Sequence, residues 1–157
     1  MTAPEISIVI PVYNEEAILH AAVVDLRERL APLDWRYEVV LAENGSKDAT
    51  ARVGAELAAK YPEVRCLSIG SPNYGAALRE GIERARGRIV ICEEIDLCDT
   101  DFHQQAVRIL AAGGVDLVIG SKLIAEGLLI EAKRLRRPPY LASAAAELLS
   151  IAYEIKA

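Results

Sequence analysis

Five acids crowd into nine residues in Glu93-Glu94-Ile95-Asp96-Leu97-Cys98-Asp99-Thr100-Asp101. While a chain stays extended, residues i and i+2 point to the same side, so Glu94 and Asp96 would aim two carboxylates at one point. Such a pair either retains a proton or holds a cation. Mg²⁺ or Mn²⁺ is held this way by one or two carboxylates, with substrate phosphate oxygens completing the shell. Asp99 and Asp101 can add ligands, or they can cap the next helix and face its dipole.

The segment Gly70-Ser71-Pro72-Asn73-Tyr74-Gly75 has the glycines of a loop that closes over a ligand, or simply joins a strand to a helix. It is not a P-loop, because Ala76 and Ala77 stand where Lys and Ser or Thr are needed, and no GxGxxG follows the first apolar run. His20 and His103 are too scattered for a zinc site, and Cys66, Cys92 and Cys98 show no CxxC spacing. No general base can be nominated.

The elements that must position these groups alternate. Residues 6–11, 37–42, 64–69, 88–93 and 115–120 read as strands. Between them run helical patterns: one capped by Asn14 and carrying Ile18, Ala21, Ala22, Leu26 and Leu30, one capped by Ser46, one over 74–86 and one around 102–112. This order predicts an α/β fold, a doubly wound and mainly parallel sheet with helices on both faces. Ligands of such sheets sit beyond the carboxyl ends of the strands, and every predicted strand delivers polar residues to that edge.

After Gly120 the pattern breaks. Lys133, Arg134, Arg136 and Arg137 form a basic cluster, and residues 140–155 read as an apolar helix. The expected division is an α/β core over 1–122 and, over 123–157, a basic segment with a C-terminal helix.

The chain has 157 residues, 52% of them hydrophobic and 26% charged, the composition of one globular domain. A net charge of −5 argues against nucleic acid as the partner. No signal pattern and no bilayer-length apolar run occurs, so the sequence reads as a cytoplasmic protein, with association at a membrane surface still open.

Four motifs resemble one family, the inverting GT-A glycosyltransferases of family 2, which include the dolichol-phosphate mannose synthases. Ile6-Ser7-Ile8-Val9-Ile10-Pro11-Val12-Tyr13-Asn14-Glu15-Glu16 is similar to that family's opening strand and turn. Glu43-Asn44-Gly45-Ser46-Lys47-Asp48-Ala49-Thr50 resembles its acidic Gly-Ser turn, and Asn73-Tyr74-Gly75 with the following helix its Asn-Gly helix start. Gly120-Ser121-Lys122 resembles its Gly-Ser-Arg element. The resemblance implies transfer of a sugar from a nucleotide-diphosphate sugar to an acceptor, with a polyprenyl (lipid) phosphate as one candidate. It also implies that Pro11, Tyr13 and Glu15 line the nucleoside pocket, and that Glu43 contacts the base. Asn73 and Gly75 would form the floor near ribose and phosphate. Glu94 and Asp96 would stand in the place of the family's Asp-x-Asp, holding Mg²⁺ or Mn²⁺ on the donor diphosphate.

The sequence departs from that pattern where Glu94 replaces an aspartate, where Glu43-Asn44 replaces paired aspartates, and where Cys98 stands at a place that can carry an oxygen ligand. The basic cluster could meet an acceptor phosphate or anionic headgroups. Two other classes are compatible with the sequence: a noncatalytic nucleotide-sugar binding module, and an interaction protein that forms a homodimer through its last helix.

Overall fold

The computed structural model describes residues 3–120, 131–133 and 150–154. All seven residues of β1 (Ile6–Val12) are buried, as a continuous apolar run implies for a strand covered on both faces. Parallel to it run β2 (Tyr37–Glu43) on one side and β4 (Ile89–Glu93) on the other, with β3 (Val64–Ser68) beyond β2. Strand alternation divides the interior into two layers. Ile6, Ile8, Ile10 and Val12 meet α1 (Leu19–Leu30), α2 (Thr50–Lys60) and α4 (Thr100–Ala112) through Leu26, Leu57 and Phe102. Val9, Val40, Val90 and Cys92 face the other way, toward Leu78 of α3 (Tyr74–Glu83). The sheet is thus covered on both faces, the α/β fold that the alternation predicts.

Three further strands complete the far side. With β5 (Leu117–Gly120), β6 (Glu131–Lys133) and β7 (Ser150–Glu154), the order across the sheet is β3-β2-β1-β4-β7-β5-β6. β7 runs antiparallel to both β4 and β5. This corrects the helix expected over 140–155, whose last part is a strand inserted between two others. An apolar run cannot by itself separate a buried helix from a buried strand, and Ile151 and Tyr153 are good strand formers. The single sheet also draws strands from both sides of the boundary expected at 122. Ser121, Lys122, Arg134, Arg136, Arg137 and residues 140–149 of the expected helix lie outside the described residues.

The first two helix caps also differ from expectation. Neither Ile18 nor Ala49, the residues preceding α1 and α2, caps its helix with a side chain. Asn14 and Ser46 instead bind each other's loops, as described below. Asn73, for which the sequence suggested no cap, caps α3, accepting a hydrogen bond from the Ala76 N–H.

Candidate functional site

The last residues of β1, β2 and β3 stand side by side, Val12 beside Glu43 and Glu43 beside Ser68. From this edge rise the loops that carry the predicted residues. Asn14 takes a left-handed conformation at φ 55°. Its N–H donates to the Ser46 hydroxyl at 3.1 Å, and its Oδ1 accepts from the Lys47 N–H at 2.9 Å. The Glu15 N–H donates to the Thr50 hydroxyl at 2.7 Å, and Glu16 Oε2 accepts from the Ala49 N–H at 2.7 Å. The two loops are therefore one laced unit. Pro11 is buried within β1, Tyr13 is exposed at the start of its loop, and Glu15 is half-buried.

Asn44 joins this unit to the third loop. Its N–H donates to the Val12 carbonyl at 2.9 Å, while its Oδ1 accepts from the Asn73 N–H at 2.5 Å. Glu43 is buried, with one carboxylate oxygen accepting from the Ser46 N–H and the other from the Ser68 hydroxyl, both at 2.5 Å. Burial pushes its pKa up, but the bonds from Ser68, Ser46 and Gly45 outweigh that and hold it below the ordinary value. Among the described residues, a Cβ added at Gly75 would meet only Asn73 Oδ1, at 3.8 Å, so their packing does not demand that glycine.

The acidic segment is not extended. The chain turns at once after β4, the Glu94 carbonyl accepting from the N–H groups of Leu97 at 3.1 Å and Cys98 at 3.3 Å. This corrects the extended geometry used to pair Glu94 with Asp96. The turn drives Ile95 and Cys98 into the core, leaving Glu94 half-buried and Asp96 exposed. Cys98 is a buried member of the core, and burial, followed by the Glu93 charge, pushes its thiol up to about 12. Asp99 caps α4, accepting from the Asp101 and Phe102 N–H groups.

The acids nevertheless converge. The pKa of Glu15 is raised by burial first and then by the charges of Asp96, Asp48 and Glu94, which brings β1, β2 and β4 loop carboxylates into one field. Among the described residues no three Asp, Glu, His or Cys side chains stand close enough to hold an ion unaided. One or two of these hard oxygen donors, joined by substrate oxygens, make the usual set for Mg²⁺ or Mn²⁺, and the residues present fit such an ion. Two participants, Asp48 and Tyr74, escaped the sequence reading. The Tyr74 hydroxyl donates to Glu94 Oε1 at 2.5 Å. Desolvation, that bond and the Glu94 charge all raise the pKa of the phenol. Both residues sit inside motifs already singled out, and that adjacency was the available signal. A pocket of about 550 Å³ at the opposite edge of the sheet, lined in part by Trp35, Arg65 and Arg86, contains none of the predicted residues.

The family model for glycosyl transferase family 2 matches residues 7–152. The chain belongs to glycosyl transferase family 2. An undecaprenyl-phosphate 4-deoxy-4-formamido-L-arabinose transferase of Pseudomonas savastanoi pv. phaseolicola is 33% identical over 115 residues, covering 72% of this chain and 34% of that protein. An uncharacterized glycosyltransferase of Synechocystis is 38% identical over 97 residues, 60% of this chain and 30% of the relative. The chain spans about a third of the length of these relatives. Among solved structures, the fold is that of a Pyrobaculum calidifontis mannosyltransferase in complex with GDP-Man and Mn²⁺. The two share a TM-score of 0.64 and 23% identity over 78% of this chain and 36% of the other. It is also that of the Mycobacterium tuberculosis glucosyl-3-phosphoglycerate synthase with Mn²⁺, UDP and phosphoglyceric acid, at TM-score 0.63 and 23% identity over 96% and 56%. The fold of this family 2 chain is GT-A, as the motifs implied.

Proposed function

We propose that this family 2 chain forms the donor site of a glycosyltransferase, taking a nucleotide-diphosphate sugar together with Mg²⁺ or Mn²⁺. The observation that carries the reading is the lacing of the β1, β2 and β3 loops at the carboxyl edge through Asn14, Ser46 and Asn44, with the Tyr74 hydroxyl reaching across to Glu94; burial first, and then Asp96, Asp48 and Glu94, raise Glu15 beside them. A cation bound there would offset the charge of the leaving diphosphate. Glu94 and Asp96 hold the ion, with Tyr74 orienting Glu94 through its hydroxyl. Asn73 and Gly75 form the floor under ribose and phosphate, where the open space beside Gly75 gives backbone access. Pro11, Tyr13 and Glu15 line the nucleoside pocket, and Glu43, already fixed by Ser46 and Ser68, borders the base.

The acceptor class we favour is a polyprenyl phosphate, because several relatives are named for transfer to undecaprenyl phosphate. Such an acceptor would bring the protein to a membrane surface. Among the described residues no helix is long and apolar enough to cross one.

Calorimetric titration with UDP and with GDP, each in Mn²⁺ and in EDTA, tests the site. Binding of one nucleotide that depends on Mn²⁺ and vanishes in Asp96→Asn is the expected result. Equal affinity with and without the ion would remove Glu94 and Asp96 from the donor site.

A further inference from the structure

The turn that carries Glu94 and Asp96 is bracketed by a buried polar pair. Glu93 is the last residue of β4 and His103 lies in the first turns of α4. Their side chains are both 0% exposed, and His103 Nε2 stands 2.8 Å from Glu93 Oε1. The imidazole also meets Phe102 edge-on, with ring centroids 6.3 Å apart. Among the described residues, Glu93 Oε2 and His103 Nδ1 are buried with no hydrogen-bond partner.

Such a pair is a poor device for stability. An apolar pair of similar volume is often as stable or more so, because it avoids desolvating polar groups that end up only partly bonded. Its position points to a different role. Strand alternation sends Glu93 to the α4 face and Glu94 to the α3 face, where Tyr74 holds it at 2.5 Å. The chain is therefore gripped from both sides of the sheet at the point where the turn begins. The same bond closes the excursion from β4 to α4, inside which only Ile95 and Cys98 are anchored by burial.

We propose that the Glu93–His103 bond is a positioning clamp for the metal-carrying turn, fixing where Glu94 and Asp96 stand; this rests on the donor-site reading above. Glu93 and His103 touch neither ion nor sugar. They act through the peptide that follows Glu93, as outer hydrogen bonds do at metal sites.

The test compares the wild-type chain with E93L/H103L and E93M/H103F, two apolar replacements of different shape in case one fails to fold. A third variant, E93Q, keeps an oxygen to accept from His103. Two readouts are taken: amide hydrogen exchange at Leu97 and Cys98, and Mn²⁺ affinity in the presence of UDP or GDP. The apolar variants should melt at or above the wild-type temperature, yet exchange faster at Leu97 and Cys98 and bind Mn²⁺ about 10-fold more weakly. E93Q should stay close to wild type in both. Unchanged exchange in the apolar variants, or a lowered melting temperature with Mn²⁺ affinity intact, overturns the clamp. Faster exchange in a chain whose wild type shows no Mn²⁺-dependent nucleotide binding overturns the donor-site reading instead.

Discussion

Two carboxylates near the same sheet edge are shifted in opposite directions, and the difference lies in what each one meets. Burial raises Glu43, but the Ser68 hydroxyl and the Ser46 and Gly45 amides stabilise its charged form more strongly, so its pKa falls below 4.5. Its contribution to stability is therefore present above pH 4.5 and is lost as pH falls through the lowered folded-state value. Glu43→Gln should cost about 1–2 kcal/mol at pH 7 and flatten the acid limb of a urea-unfolding series. An acid limb as steep as wild type would assign that loss to other carboxylates. Glu15 has the opposite sign. Burial and then Asp96, Asp48 and Glu94 raise it, so its contribution is present below 4.5 and disappears as pH rises through the raised value.

The turn from β2 into α2 is the element on which the site loops lean. Gly45 sits at φ +69°, and a Cβ there would lie 2.8 Å from the Ser71 backbone. Conformation and contact both require glycine at that position. Next to it Asn44 binds Val12 and Asn73, joining the end of β1 to the start of α3. Gly45→Ala should therefore destabilise the fold by about 2–4 kcal/mol, from backbone strain together with overpacking. The midpoint of denaturant unfolding measures this. Nucleotide affinity should fall in the same variant, since the loops at Asn14 and Asn73 shift with the turn.

Across the whole molecule, β7 holds the two halves of the sheet together. Its backbone pairs with β4 over Ile89–Glu93 and with β5 over Leu117–Gly120, so both of its edges are used. Removing residues 150–157 would uncover two strand edges in the middle of the sheet, a template for association between chains. The shortened chain should lose its cooperative thermal transition and aggregate. A sharp transition with a monomeric profile in size-exclusion chromatography would show that β4 and β5 can close on each other. With both edges occupied, Ser150–Glu154 offers no free backbone edge for the dimer contact expected from a last helix.

Local pattern was enough for the parallel half of the sheet, because short apolar-rich runs at 6–11, 37–42, 64–69 and 88–93 alternate with helical patterns, an order that a parallel sheet with crossover helices satisfies. It was enough as well for the edge at which the polar residues gather and for the cap open to Asp99, both of which follow from local order along the chain. What Asn14 and Ser46 bind depends on the folded chain, because their partners lie about 30 residues away and outcompete the local caps. Packing decided the turn at Glu94, where burying Ile95 and Cys98 overrides the extended spacing. The contact of Glu93 with His103 depends on how α4 docks, and the place of β7 on two strand edges that no linear pattern records. Local periodicity specifies elements; which partner each element meets is settled by burial in three dimensions.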